Sequence, residues 1–338
     1  MATMRYDRDG FPVPTVFEPR TDADTGLPPR AGSRAPMPAD HRTPSITRGD
    51  AVDLGPAPHR SGRGLKQLVI VAVLAFGLVP AIVGPELMPL VRLAVVRWSL
   101  ERAMKLEAND DVSGALAEVG RALDWGGADD PDLLCQRAWL RLHDGNPAGA
   151  IDDARRAETL APTSLAPLRL RGLAEVVRGN ADEALADATL VVERSVPGDA
   201  DALNHRAYIR ALVNRELPAA LADIEAAIDR VGPAVSADLL DTRGFVLHLL
   251  GRNQEALEQM NDALDRMLQE RRRIRLVASR DDVDPVLVQL KLRSIEHALA
   301  VMYQHRGLIC RTVGHEEQAK QDFDVARAKG YDPARGVF

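Results

Sequence analysis

The chain is 338 residues long, which allows two domains or one domain with tails. With 46% apolar and 27% charged residues it is neither collagen-like nor disordered throughout. Only 4% of residues are aromatic, so a core must be built mainly from Ala, Leu and Val, which favours close-packed helices over a β-sandwich. A net charge of −6, with no basic run denser than Arg271–Arg272–Arg273, gives no general attraction for phosphate backbones, and nucleic acid is not an expected partner. The two cysteines, Cys135 and Cys310, are far apart and have no metal-ligand spacing, which excludes a disulfide framework and a structural zinc.

Residues 1–64 hold ten prolines, many charges and few apolar side chains. Such a segment cannot bury enough surface to offset its ordering entropy, so a disordered arm is expected here. Its one apolar cluster, Phe11 to Pro19, has the composition of an extended docking motif or of an inert spacer. Residues 67–85 then run for 19 positions without a charge, between Lys66 and Glu86. As a helix this stretch would be about 28 Å long, near the thickness of a bilayer's hydrocarbon core, and a single membrane span is expected. Arg60, Arg63 and Lys66 crowd its amino side, which places the N-terminus in the cytoplasm and the rest of the chain on the opposite side. Over twenty residues each way the cations balance. Residues 86–100, with Arg92, Arg97 and Trp98, read as a juxtamembrane helix running into the part that follows.

From residue 96 to 333 the sequence repeats at a period near 34. Four sets of small residues share one spacing: Ala138, Gly145, Ala150 and Ala157; Gly172, Gly179 and Ala184, followed by Val191; Gly244, Gly251, Ala256 and Ala263; Gly307, Gly314, Ala319 and Ala326. Two weaker sets run through Ala103, Ala115 and Ala122 and through Ala207, Ala220 and Ala227, the latter with one extra residue near Val213. These spacings resemble the tetratricopeptide repeat, a helix-turn-helix unit whose small residues let two helices approach closely. The resemblance implies an all-α solenoid of about six degenerate units. The family's aromatic at the turn is replaced by Pro147, Ala181, Leu217, Asn253 and Glu316, and its terminal proline survives as Pro162, Pro197 and Pro333. Between the fifth and sixth units about 29 extra residues, 271–299, read as a helical insertion, with Asp284–Pro285 restarting a helix.

No phosphate-cradling glycine loop, HExxH, nucleophile elbow or EF-hand loop occurs, so neither an enzyme nor a bound cofactor or metal is expected. Binding is the expected role, because stacked hairpins create an extended concave surface. In the family the residue after the small anchor faces that surface. The resemblance therefore implies a partner-binding stripe of Trp139, Leu173, Tyr208, Phe245 and Leu308. A shift of one position would instead make these packing residues between helices. The expected function is a membrane-anchored scaffold for a protein or peptide partner, or a dedicated accessory subunit of a membrane complex.

Overall fold

A computed structural model describes residues 5–6, 12–13, 87–127, 129–278 and 283–332 of the chain. The expected membrane span at 67–85 lies outside the described residues. So does the proposed arm 1–64, apart from Arg5–Tyr6 (β1) and Pro12–Val13 (β2), which pair antiparallel. Among the described residues no helix is long and apolar enough to cross a membrane.

From Met88 onward the described residues form twelve α-helices in six successive pairs. The pairs are α1 Met88–Ala108 with α2 Val112–Ala122, α3 Pro131–His143 with α4 Pro147–Leu160, and α5 Ala166–Val177 with α6 Ala181–Arg194. They continue as α7 Ala200–Leu212 with α8 Leu217–Val231, α9 Ala237–Leu249 with α10 Asn253–Val277, and α11 Pro285–Thr312 with α12 Glu316–Ala328. The array is an all-α solenoid that resembles tetratricopeptide repeat proteins in having one helical hairpin per repeat.

The small residues of the repeat close each hairpin. Ala103, Ala115, Ala138, Ala150, Ala184, Ala207, Ala220, Ala256 and Ala319 are all at most 2% exposed. At such contacts a larger side chain has no room, which is why volume rather than chemistry recurs at these positions. Gly307 shows the limit: a β-carbon there would stand 2.6 Å from the ring of Phe323.

The turn inside every hairpin is the same device. The residue two after the first helix's last turn sends its N–H back to a carbonyl five residues earlier, as in Asp111 to Leu106, Asn146 to Arg141, Asn180 to Glu175, Arg215 to Arg210, Arg252 to Leu247 and His315 to Cys310. This closure requires a left-handed residue at its centre, usually glycine. Gly145, Gly179, Gly251 and Gly314 have φ between 77° and 84°, while Asp110 (66°) and Asn214 (51°) take that place in the first and fourth hairpins. The additional residue of the fourth turn is absorbed at Glu216, also left-handed with φ 52°.

The fifth and sixth hairpins depart from the others in length. α10 has 25 residues and α11 has 28, so the end of one and the start of the other form an arm beyond the ordinary hairpin. Asp284 caps the restart by accepting the Val286 N–H at 2.8 Å. Ile274, Val288, Ile295 and Leu299 bury the arm's apolar face in one core with Leu247, Met260 and Met267.

Candidate functional site

Each first helix from α3 to α9 packs on the next first helix, ending at α11, as well as on its own partner. Contacts of this kind bring the first helices together along the inner curve of a solenoid, with the second helices outside. The candidate site is that inner curve.

The five stripe residues are all half-buried. Trp139, Leu173 and Tyr208 pack against one core shared by the first three hairpins, and Phe245 against the core of the fourth and fifth. Leu308 belongs to neither group, and its carbonyl accepts the Thr312 hydroxyl at 3.0 Å. Two of the five also stack on or meet histidine rings on another turn or rung. The Trp139 ring meets His143 edge-on at 4.2 Å, and Phe245 stacks on His305 at 4.1 Å with the rings 8° from parallel. His305 Nδ1 in turn lies 2.9 Å from Asp241 Oδ1, tying α11 to α9. Burial, reinforced by the nearby Asp241 and Tyr331, raises the Tyr208 hydroxyl far above its ordinary pKa, so it stays a neutral hydrogen-bonding group.

Beside the stripe the inner rungs carry buried polar groups. His205 is deeply buried, and this burial, with the Arg169 guanidinium nearby, lowers its pKa to about 3. It is a neutral imidazole at physiological pH. Burial likewise pushes the Cys135 thiol up to about 12, which leaves it without thiolate reactivity. Among the described residues no group of three or more His, Cys, Asp or Glu side chains could hold a metal ion.

A second repeated feature escaped the spacing of small residues. An arginine precedes the anchor in all six hairpins: Arg102, Arg137, Arg171, Arg206, Arg243 and Arg306. In five of them it reaches an acid on the second helix of the same hairpin. Arg137 Nε and Nη2 bind Asp153 at 2.8 and 2.6 Å, Arg171 binds Asp187 at 2.8 and 2.6 Å, and Arg306 binds Asp322 at 2.8 and 2.7 Å. Arg206 binds Asp223 at 2.7 Å through both nitrogens, and Arg102 Nε lies 3.0 Å from Glu118. All five acids are buried. The fifth hairpin breaks the series, because Gln259 stands where the acid is expected. Arg243 turns instead to Glu225 of the preceding hairpin at 3.6 Å. The signal was present as Arg before Ala or Gly, followed 16 or 17 positions later by Asp or Glu.

At one end of the array the arm crosses to the first hairpin. Gln289 and Arg293 of α11 hydrogen-bond to the last residues of α1 and its turn. The next residue on that stripe, His297, meets the ring of His143 edge-on at 5.3 Å. These contacts join positions more than 150 residues apart, which no local spacing encodes.

No family model and no curated protein matches the chain. Among solved structures, similarity is found to a tetratricopeptide repeat protein from Parabacteroides merdae, at 16% identity over 71% of this chain and 94% of that one, with a TM-score of 0.43. A thermophilic tetratricopeptide repeat protein from Thermus thermophilus aligns at 20% identity over 60% of this chain and 98% of that one, with a TM-score of 0.44. A third, YrrB, described as a tetratricopeptide repeat protein with an unusual peptide-binding site, aligns at 18% identity over 49% of this chain and 84% of its own, with a TM-score of 0.36.

Proposed function

We propose that the chain is a membrane-tethered scaffold that binds a protein or peptide partner along the inner curve of its six-hairpin array. The observation that carries this reading is the run of first helices from α3 to α11, along which Trp139, Leu173, Tyr208, Phe245 and Leu308 stay half-buried rather than sealed. Half-buried aromatic and aliphatic side chains held on rigid helices are the kind of anchor that partner side chains use. The proposed role is binding, with no bond-making step and no cofactor.

The tether is the uncharged stretch 67–85, supported by its length and by the exposed Leu87, Leu90 and Leu93 that follow it. Arg60, Arg63 and Lys66 support a cytoplasmic N-terminus with the array on the opposite side. A second reading, a dedicated accessory or regulatory subunit of a membrane complex in secretion, envelope assembly or signalling, is favoured by the arm of α10 and α11. By crossing to the first hairpin the arm reduces the open inner surface, which suits one fixed partner better than several.

Full-length protein extracted in detergent should retain its partner through purification. The combined Trp139→Ala and Phe245→Ala substitutions should abolish that recovery while the helical content is unchanged. Several partners at varied ratios would favour the scaffold, and one at fixed stoichiometry the dedicated subunit. Unchanged recovery by the double variant would end the groove reading. Protease protection of the array in sealed vesicles tests its side of the membrane.

A further inference from the structure

α11 has two distinct faces over its first half. Val288, Ile295 and Leu299 are buried against the arm's own core with Ile274 and Met267. Gln289, Arg293 and His297, spaced four apart and therefore on one stripe, face the beginning of the array. Gln289 Nε2 donates to the Ala108 carbonyl at 3.0 Å and to Asn109 Oδ1 at 3.2 Å. The Arg293 guanidinium donates to the Glu107 carbonyl and to the Asp110 carboxylate. Two of the acceptors, the Glu107 and Ala108 carbonyls, lie at the C-terminal end of α1, where a cation is favoured by the helix dipole. The arm is itself braced from the other side. Glu296 is bound by Arg271 at 3.2 Å, by Arg275 at 3.4 Å and by Lys329.

The two sets of contacts differ in kind. The arm's attachment to the fifth hairpin is an apolar core, whereas its attachment to the first two hairpins consists of three polar side chains. The Asp110 side chain is 83% exposed. Water can replace such polar contacts, but it cannot replace the buried core. The junction with the first hairpin can therefore open while the arm stays folded.

We propose that the segment 285–299 is an intramolecular strap. Closed, it joins the sixth hairpin to the first and covers His143, the neighbour of Trp139, at the start of the inner curve. Open, it releases that end of the curve to a partner. This inference rests on the inner curve being the binding surface, but its test reads the strap alone and needs no partner.

The test is a distance measurement on the full chain, with spin labels at Ser113→Cys on α2 and Lys291→Cys on α11, both exposed positions. The native Cys135 and Cys310 are buried and do not compete for the label. With Arg293 intact a single narrow distance distribution is expected. Arg293→Ala should raise a separate, longer-distance population about tenfold, the loss expected for a charge-assisted pair of hydrogen bonds. Asp110→Asn, which removes the charge from the opposite partner and keeps a residue type that tolerates the left-handed conformation, should do the same. It decides the matter if Arg293→Ala loses helicity. Distributions that superimpose in all three proteins would show a fixed wall rather than a strap. A broad distribution with Arg293 intact would show that the junction does not close.

Discussion

Arg137 on α3 holds Asp153 on α4 through two parallel hydrogen bonds of 2.8 and 2.6 Å, and Asp153 is 3% exposed. The same fork joins the two helices of the third, fourth and sixth hairpins. An arginine fork matches the two oxygens of a carboxylate, so the contact sets the rotation of one helix against the other as well as holding them.

Removing the acid from such a pair leaves a guanidinium facing a dry hairpin interior. Asp153→Ala, which takes the carboxylate from both Arg137 and Arg141, should destabilise the array by about 2–4 kcal/mol, because breaking a buried pair exposes the desolvation cost of the remaining charge. Arg243→Ala, whose arginine has no acid in its own hairpin, should cost about 1 kcal/mol or less. Urea unfolding followed by circular dichroism compares the two, and equal losses would contradict the assignment.

The fifth hairpin offers the converse experiment. Gln259→Glu restores the acid at the spacing that Glu118 has from Arg102, and should stabilise the protein by about 0.5–1 kcal/mol. Combined with Arg243→Ala the gain should vanish, which a double-mutant cycle on urea midpoints reads directly.

Two glycines at equivalent positions should respond in opposite ways to alanine. At Gly172 a β-carbon finds its nearest atom at 3.6 Å, ordinary contact, so Gly172→Ala should be neutral or raise stability by up to about 1 kcal/mol through helix propensity. At Gly307 the same β-carbon meets the Phe323 ring at 2.6 Å, and Gly307→Ala should cost about 1–3 kcal/mol. Gly307→Ala combined with Phe323→Leu should recover part of that loss, measured by thermal unfolding.

The buried His205 makes stability depend on pH in a definite direction. Its folded pKa is depressed to about 3, against about 6.5 in an unfolded chain. Above the unfolded value both states are neutral there and its contribution to stability is complete. As pH falls from about 6.5 toward 3 the unfolded state takes up a proton that the folded state refuses, so stability declines with acidification. His205→Gln removes this dependence, and its urea midpoint should fall less between pH 7.5 and 5 than that of the unsubstituted protein. Parallel declines would show that other groups dominate.

The helical array was readable from spacing because each hairpin is a local object. Ala150 or Ala256 must be small wherever two helices cross, Gly145 or Gly314 must turn left-handed wherever the chain reverses, and both demands recur with every unit. The Arg137–Asp153 class of pair is equally local, but charged residues on helices are usually solvated, so their spacing alone does not announce a buried contact. The position of the arm was of another kind. Residues 285–299 show an apolar face and a polar stripe, but nothing in their order says that Arg293 meets the end of α1. That contact depends on the rise and curvature accumulated over the four intervening hairpins, a sum of small rotations that only the folded chain carries out. Sequence by itself therefore determined the unit and its number, through packing and turn geometry repeated at short range. Tertiary structure alone decided how much of the inner curve stays open, because that is set by where the two ends of the array meet.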